Sequence, residues 1–373
     1  MKRTTLGRAS VPAALALALT LSACGAANEP DSSAPGGDGE TGNGDAVAAD
    51  VSGSISGVGA SSQAAAIDAW KAQFEGANPD ATVNYDPQGS GAGREQFLAG
   101  ATDFAGSDAY LDEEELGNVP SQCGELIELP AYISPIAVAY NLEGVDEINM
   151  SAATLAGVFN GSITTWNAPE IAAENEGVEL PNTPITPVHR SDKSGTTENF
   201  TEYLHKAAPD VWTDEPAGDF PISGGEAAQG TSGVVQAIQA GDGAIGYADA
   251  SQIGELPSVK VKSGDEYVEY SPEAAAAVVD SSEPAEGDRP EYSYAIDLNR
   301  DPQDGEYPIV LVAYTMACST YADEGKAELM KAWLTYMVSE EGQNVAAEAA
   351  GSAPISSTLR DNAMTAIDQI SAG

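Results

Sequence analysis

Apolar positions recur along this chain in two alternating patterns, one typical of strands and the other of helices. From Val51 on, short apolar runs end in turns of glycine and serine, and apolar residues at helical spacing follow them. Ile67, Trp70 and Phe74, for example, would share one face of the first helix. Strands that end in small-residue turns and lead into helices are typical of α/β sheets with their loops at one edge. The pattern therefore predicts an α/β fold.

Two longer apolar stretches, residues 126–142 and 307–318, stand far apart in the sequence, and Pro130 and Pro135 interrupt the first of them. Two extended connections of this kind predict a two-lobed body whose chain crosses from one lobe to the other and later returns. The predicted parts are residues 51–133 (lobe I, first part), 134–310 (lobe II) and 311–373 (lobe I, return).

The amino terminus has the pattern of an export signal: a basic start, an apolar run from Val11 to Leu21, and small residues after it. The run is too short to span a membrane. Leu21-Ser22-Ala23-Cys24 resembles a bacterial lipobox, which predicts a signal peptide over residues 1–23 and a lipid on Cys24 that anchors the protein to the outer face of the cell membrane. The alternative is an ordinary secretory signal with an incidental cysteine. Residues 24–50 lack recurring apolar positions, so we predict a disordered tether.

The formal net charge of the chain is −43, from 58 acidic and 15 basic residues. A surface of this sign repels nucleic acid and anionic lipid headgroups, so we expect no nucleic-acid partner. It would also repel a small anion at long range. Any anion site must therefore depend on local dipoles and short-range contacts.

Two cysteines remain once Cys24 carries a lipid, namely Cys123 and Cys318. An even pair outside the cell favours a disulfide. The alternative is two buried thiols, because the sequence does not give the distance between them.

The stretch from Pro187 to Leu204 has the pattern of a strand end, a small-residue turn and a helix, with Ser194 as the predicted N-cap. The first amides of a helix have no intrahelical acceptors and carry the positive end of its dipole, so Gly195 and Thr196 could present donors to an anion. Arg190 could add a bidentate charged fork. The alternative is an ordinary helix cap that binds nothing.

Similar glycine- and serine-rich turns at residues 57–63 and 88–93 favour the anion site. Both lack the full dinucleotide fingerprint and a following Walker lysine, so we expect no nucleotide cofactor. We likewise predict no metal.

Five segments resemble, in the same order, those of the phosphate-binding lipoproteins that serve phosphate ABC importers, and together they cover residues 51–371. The resemblance implies a type II periplasmic-binding-protein fold: two α/β lobes, two crossovers, and a ligand enclosed in the cleft by hinge closure. The segments are Gly57–Ser62, Gly89–Gly93, Asp103–Ala109, Arg190–Thr196 and Gly243–Tyr247.

The resemblance also implies a set of phosphate-binding residues. Arg190 would neutralise charge, and Asp108 would accept a hydrogen bond from a protonated phosphate oxygen. Asp192 either orients Arg190 or is a solvated turn residue. The implied hydrogen-bond donors are Ser61, Ser62, Ser90, Ser194, Gly195 and Thr196. The family often has Thr-Phe where this chain has Ser61-Ser62. The swap changes little if Ser62 supplies only its amide, and the alternative is a looser cleft wall.

Asp108 would separate phosphate from sulfate. An ionised carboxylate only accepts hydrogen bonds, and phosphate keeps a proton near neutral pH that sulfate lacks. Sulfate would leave a buried charge unpaired. The alternative role for Asp108 is a helix N-cap after Ser107.

The leading hypothesis is therefore a binding protein without catalytic residues, expected to be a monomer, that captures inorganic phosphate and hands it to the permease of an ABC importer. A receptor for sulfate or molybdate is the nearest alternative. A secreted phosphatase is another, but the chain has only His189 and His205, and we predict that both are packing or surface residues. A purely structural surface lipoprotein is the third alternative.

Overall fold

The computed structural model describes residues 48–301 and 305–373, so the predicted signal peptide, Cys24 and the tether up to residue 47 lie outside the described residues. The helices of the described residues are α1 (Ala64–Ala77), α2 (Ser90–Leu98), α3 (Glu113–Leu116), α4 (Ala152–Phe159), α5 (Pro169–Glu174), α6 (Gly195–Ala207), α7 (Gly230–Ala240), α8 (Pro272–Asp280), α9 (Glu324–Val338), α10 (Glu340–Ala350) and α11 (Ser357–Ile367). The strands are β1 (Gly53–Gly59), β2 (Ala81–Asp86), β3 (Phe104–Ser107), β4 (Leu126–Asn141), β5 (Ile148–Met150), β6 (Thr186–Arg190), β7 (Glu226–Ala228), β8 (Ala244–Asp249), β9 (Val259–Ser263), β10 (Glu266–Val268), β11 (Glu283–Pro284), β12 (Ile296–Asp297), β13 (Val310–Cys318), β14 (Thr320–Tyr321) and β15 (Ser371–Ala372).

One long strand, β4, links the two halves of the main sheet, whose order is β2-β1-β3-β13-β4-β8-β6-β7. Residues 126–135 of β4 pair with β13, and residues 136–141 pair with β8. We call the half that contains β1, β2, β3 and β13 lobe I, and the half that contains β6, β7 and β8 lobe II. This topology confirms the predicted α/β organisation. It also shows that the two long apolar stretches, which contain β4 and β13, pair with each other.

Strand β4 runs through both prolines of the first apolar stretch without a break. Pro130 lies opposite Tyr314, and Tyr132 lies opposite Ala313, so Ala131 forms a bulge. A bulge tolerates the missing N–H of a neighbouring proline. Pro135 lies where β4 changes its partner strand, so it too avoids the interior of a regular ladder.

The core of lobe I contains the predicted face of α1. Trp70 and Phe74 are fully buried, and the Phe74 ring meets that of Trp333 edge-on, with 5.3 Å between centroids. Cys123 and Cys318, the pair for which the sequence favoured a bridge, form a disulfide with 4.7 Å between their Cα atoms. The disulfide thus joins two parts of lobe I that are 195 residues apart in the chain.

The segments singled out in the sequence follow the carboxyl ends of four strands. Strand β1 leads into Ser61 and Ser62, β2 into Ser90, β3 into Asp108, and β6 into the turn before α6. Since β1 pairs in parallel with β3, their ends lie at one edge of lobe I. Across residues 48–301 and 305–373, no helix is both long enough and apolar enough to cross a membrane.

Candidate functional site

Asp108 occupies the centre of the site, with only 3% of its surface exposed. Its Oδ1 accepts a hydrogen bond from Ser62 Oγ at 2.5 Å, and its Oδ2 accepts one from Thr196 Oγ1 at 2.8 Å. Ser62 belongs to lobe I and Thr196 to lobe II, so the carboxylate joins the two lobes. The helix-cap alternative does not hold, because α3 is capped by Asp112, whose carboxylate accepts from Glu115 N at 2.8 Å.

Ser62 contributes more than its amide to this arrangement. Its hydroxyl stands where the resembled family often has an apolar ring, and it is a direct partner of Asp108. The expectation that the swap changes little was conditional on an amide-only role. In this structure the swap adds a donor to the buried carboxylate.

Burial raises the pKa of Asp108 above its ordinary value, and the Ser62 and Thr196 hydrogen bonds and the nearby guanidinium groups of Arg190 and Arg94 only partly offset this. A buried carboxylate is costly when it is ionised without enough donors. About four lone-pair sites are available on a carboxylate, and the two hydroxyls use two of them. Asp108 can therefore accept a further hydrogen bond from a ligand.

The turn before α6 has the geometry that the sequence predicts. Ser194 Oγ accepts a hydrogen bond from Thr197 N at 3.3 Å, which confirms the N-cap. Gly195 and Thr196 open the helix, so their amides have no acceptor within it. A Cβ at position 195 would lie 2.7 Å from both Asp108 Cβ and Ser90 Oγ, so only glycine fits between the lobes here.

Arg190 is almost fully buried and forms a bidentate ion pair with Asp192. Arg190 Nε donates to Asp192 Oδ1 at 2.8 Å, and Nη2 contacts Oδ2. Asp192 Oδ1 also accepts from Gly230 N at 3.0 Å. Although burial opposes ionisation, the Arg190 partner holds the pKa of Asp192 below its ordinary value. The structure thus contains the contact that the orienting hypothesis for Asp192 requires.

The other two predicted donors lie at the same junction. Ser90 is the first residue of α2, and its Oγ accepts from Asp108 N at 3.1 Å. The preceding residue, Gly89, has a φ of 109°, and a Cβ there would collide with the Asp192 carboxylate. Ser61 Oγ accepts from Thr231 N at 3.1 Å, across the cleft. All the predicted site residues are therefore close neighbours, whereas their roles toward a ligand remain predictions.

Sequence reasoning missed several side chains of lobe II that contact this junction, among them Gln252 and Asn199. Gln252 Nε2 donates to the carbonyl oxygens of Ser61 and Ser62, both at 2.8 Å. Asn199 Nδ2 donates to Asp108 O at 2.7 Å. Asn199 is four residues after Gly195, so helical spacing could have placed it on the same face. The sequence around Gln252 has no comparable signal.

Both histidines make packing and main-chain contacts, as predicted. The His189 ring stacks on Phe220 with 4.4 Å between centroids, and its Nε2 lies 3.1 Å from Gly224 O. His205 Nδ1 lies 3.0 Å from Asp214 O. The structure therefore gives neither ring a contact with Asp108.

Comparison with known proteins relates most of this chain to one family. Residues 44–341 match the model of a family described as a PBP superfamily domain. The chain is 35% identical to phosphate-binding protein PstS 3 of Mycobacterium leprae, over 84% of this chain and 85% of that protein. It is 34% identical to phosphate-binding protein PstS 3 of Mycobacterium tuberculosis, over 97% of this chain and 98% of that protein.

Solved structures share the fold. A phosphate-binding protein from Stenotrophomonas maltophilia matches with a TM-score of 0.68 at 22% identity, over 84% of this chain and 94% of that one. A periplasmic phosphate-binding protein, PfluDING, solved with bound phosphate, matches with a TM-score of 0.68 at 24% identity, over 84% and 93%. At these identities the likeness concerns the fold.

Proposed function

The chain belongs to the PBP superfamily and, within it, to the PstS phosphate-binding proteins, and on this premise we propose that it captures inorganic phosphate between its lobes and delivers it to the permease of an ABC importer. The family resemblance stated from the turns is confirmed, and so is the two-lobed type II fold with its two crossovers. The single observation that most supports phosphate as the ligand of this chain is the buried Asp108 carboxylate between Ser62 and Thr196.

In this proposal phosphate lies at the junction of the three turns. Arg190 supplies a charged fork whose orientation Asp192 fixes. The remaining contacts are neutral hydrogen bonds from amides and hydroxyls at helix starts, where the helix dipole favours an anion. The proposed donors are Ser61, Ser62, Ser90, Ser194, Gly195 and Thr196.

Selectivity rests on Asp108. A protonated phosphate oxygen donates to the carboxylate and satisfies one of its remaining acceptor sites. Sulfate brings no proton, so its oxygens would meet the carboxylate lone pairs without a hydrogen bond between them. Specificity in a buried site uses repulsion of this kind against the wrong ligand as well as attraction to the right one.

The proposal contains no catalytic step, since capture and delivery require only binding and lobe closure. It includes export, cleavage before Cys24, and lipidation of that cysteine as the means of anchoring the protein at the outer face of the membrane, in view of the lipobox-like Leu21–Cys24. We expect the protein to act as a monomer. Phosphate-ester turnover by the purified protein would contradict the binding-only role.

Calorimetric titration tests the proposal. The mature protein is first unfolded and refolded to remove bound anion, and phosphate and then sulfate are titrated into wild type and Asp108→Asn. We expect tight phosphate binding, little sulfate binding, and reduced discrimination in Asp108→Asn. The absence of phosphate binding would refute the receptor function, and a preference for sulfate would retain the fold but change the ligand.

A further inference from the structure

Two carboxamide side chains of lobe II contact lobe I in the same way. Gln252 Nε2 donates to Ser61 O and Ser62 O, each at 2.8 Å. Asn199 Nδ2 donates to Asp108 O at 2.7 Å and to Gly195 O at 2.9 Å. In each case a single NH₂ group uses both of its hydrogens on main-chain carbonyls. Three of the four carbonyls belong to the lobe I segments that carry the proposed phosphate contacts.

The Asn199 carboxamide is held from behind by Arg300. Asn199 Oδ1 accepts from Arg300 Nη2 at 2.5 Å, so the NH₂ group must face the carbonyls. Arg300 is itself buried and fixed, because its Nε donates to Glu202 at 3.0 Å and its Nη1 to Val310 O at 2.9 Å. The side chain therefore has little freedom to choose another partner.

Gln252 also lies in an anchored segment, the short 3-10 turn Ala250–Gln252. Asp249 caps this turn, since its Oδ1 accepts from Ser251 N at 3.0 Å. Tyr132, on the lobe I part of β4, donates to the same oxygen at 3.1 Å. The turn that carries Gln252 is thus attached to the strand that links the lobes.

A hydrogen bond to a carbonyl also fixes the peptide group to which it belongs. In a trans peptide the N–H points opposite to the C=O. Gln252 bonds to Ser61 O, so it fixes the orientation of the peptide group that contains the Ser62 N–H. Asn199 does the same for the peptide group that follows Asp108, whereas the carboxylate itself is held by Ser62 and Thr196.

We propose that Gln252 and Asn199 are positioning residues that hold the closed form and slow the release of phosphate without touching it, an inference that rests on the proposed function. Their contacts with lobe I cross the cleft, so hinge opening breaks them together. A group that bonds only in the closed form shifts the equilibrium toward that form. Its loss should therefore speed ligand release more than it slows binding.

The test uses Gln252→Met and Asn199→Leu, which keep the approximate length or volume of each side chain and remove the donors. Bound radiolabelled phosphate is chased with excess unlabelled phosphate. We expect release to be about tenfold faster in each variant, the range expected for lost hydrogen bonds to main-chain carbonyls. The association rate and the preference for phosphate over sulfate should stay within about twofold of wild type, unlike in Asp108→Asn.

Asn175→Leu is the matched control. Asn175 Nδ2 also donates to two main-chain carbonyls, Ile171 O at 2.8 Å and Asn149 O at 2.9 Å, but all three residues lie in lobe II. This variant should lower the melting temperature and leave release unchanged. Equal acceleration in the control would show that lost stability, not lost closure, causes the effect, and would overturn the inference.

The remaining outcomes separate the two proposals. If wild type binds phosphate and both variants release it at the wild-type rate, the positioning role is wrong and the receptor function stands. If wild type does not bind phosphate, both the receptor function and the positioning role are refuted. Gln252 is only partly buried, so Gln252→Met keeps the test decisive even if Asn199→Leu does not fold.

Discussion

Gly195 lies at a close approach of the two lobes in the site, and Gly195→Ala should keep them apart. The added Cβ would lie 2.7 Å from Asp108 Cβ and from Ser90 Oγ, and 3.1 Å from Ala109 N. Non-bonded carbon atoms prefer about 3.5–4.0 Å, so lobe II would have to move by roughly 1 Å. None of the three neighbours can swing away cheaply. The Asp108 carboxylate is hydrogen-bonded through both oxygens, Ser90 Oγ accepts from Asp108 N, and Ala109 N is main chain.

The magnitude follows from the contacts that such a shift would break. Thr196 Oγ1 lies 2.8 Å from Asp108 Oδ2, and Asn199 Nδ2 lies 2.7 Å from Asp108 O. A shift of 1 Å would lengthen both distances beyond roughly 3.2 Å, the limit of a good hydrogen bond. One bond has a charged acceptor and the other a neutral one, so their joint loss costs about 2–4 kcal/mol. Phosphate affinity should therefore fall roughly 30- to 1000-fold.

Calorimetric titration of phosphate measures this effect, and thermal unfolding without phosphate provides the contrast. Alanine is the better helix former by up to about 1 kcal/mol, so the ligand-free variant should be no less stable than wild type. Gly233→Ala on α7 is the control, since the nearest atom to a Cβ there lies 3.6 Å away. Wild-type phosphate affinity in Gly195→Ala would refute the reasoning, because the close approach would then be irrelevant to the bound form.

Two further predictions concern stability. Replacing both cysteines (Cys123→Ala with Cys318→Ala) should reduce the free energy of unfolding by about 2–5 kcal/mol in urea denaturation, because the bridge closes a loop of 195 residues in sequence. Phosphate affinity should not change, and a fall in affinity would mean that the bridge also shapes the cleft. Burial raises the pKa of Asp249 from 3.8 to about 7, so the folded protein holds this proton more tightly than the unfolded chain does. Asp249 should therefore lower the free energy of unfolding as pH rises from about 4 to about 7, by up to ~1.4 kcal/mol per pH unit, and Asp249→Asn should lose this contribution. Urea denaturation of ligand-free wild type and variant at pH 5 and pH 7 tests this, and parallel pH dependences would contradict it.

Local features of the site were predictable because they depend on neighbours in sequence. The Ser194 cap and the buried face of α1 follow from helix periodicity and the orphan amides of a first turn. The contacts between the lobes were not predictable, because Ser61 and Gln252 are 191 residues apart and no spacing rule relates them. How β4 runs through Pro130 could not be predicted for a similar reason, because it depends on a bulge that the partner strand determines.

The charges around the site explain why lobe closure matters so much. The positive charge of Arg190 is matched by Asp192, and Asp108 adds a further carboxylate, in a chain whose formal net charge is −43. A phosphate ion therefore gains little from net electrostatic attraction and must be held by short-range hydrogen bonds. Such bonds are strongest where water is excluded, and here exclusion requires both lobes to meet around Asp108. A residue that never touches the ligand, such as Gln252, should consequently affect affinity as strongly as several of those that do.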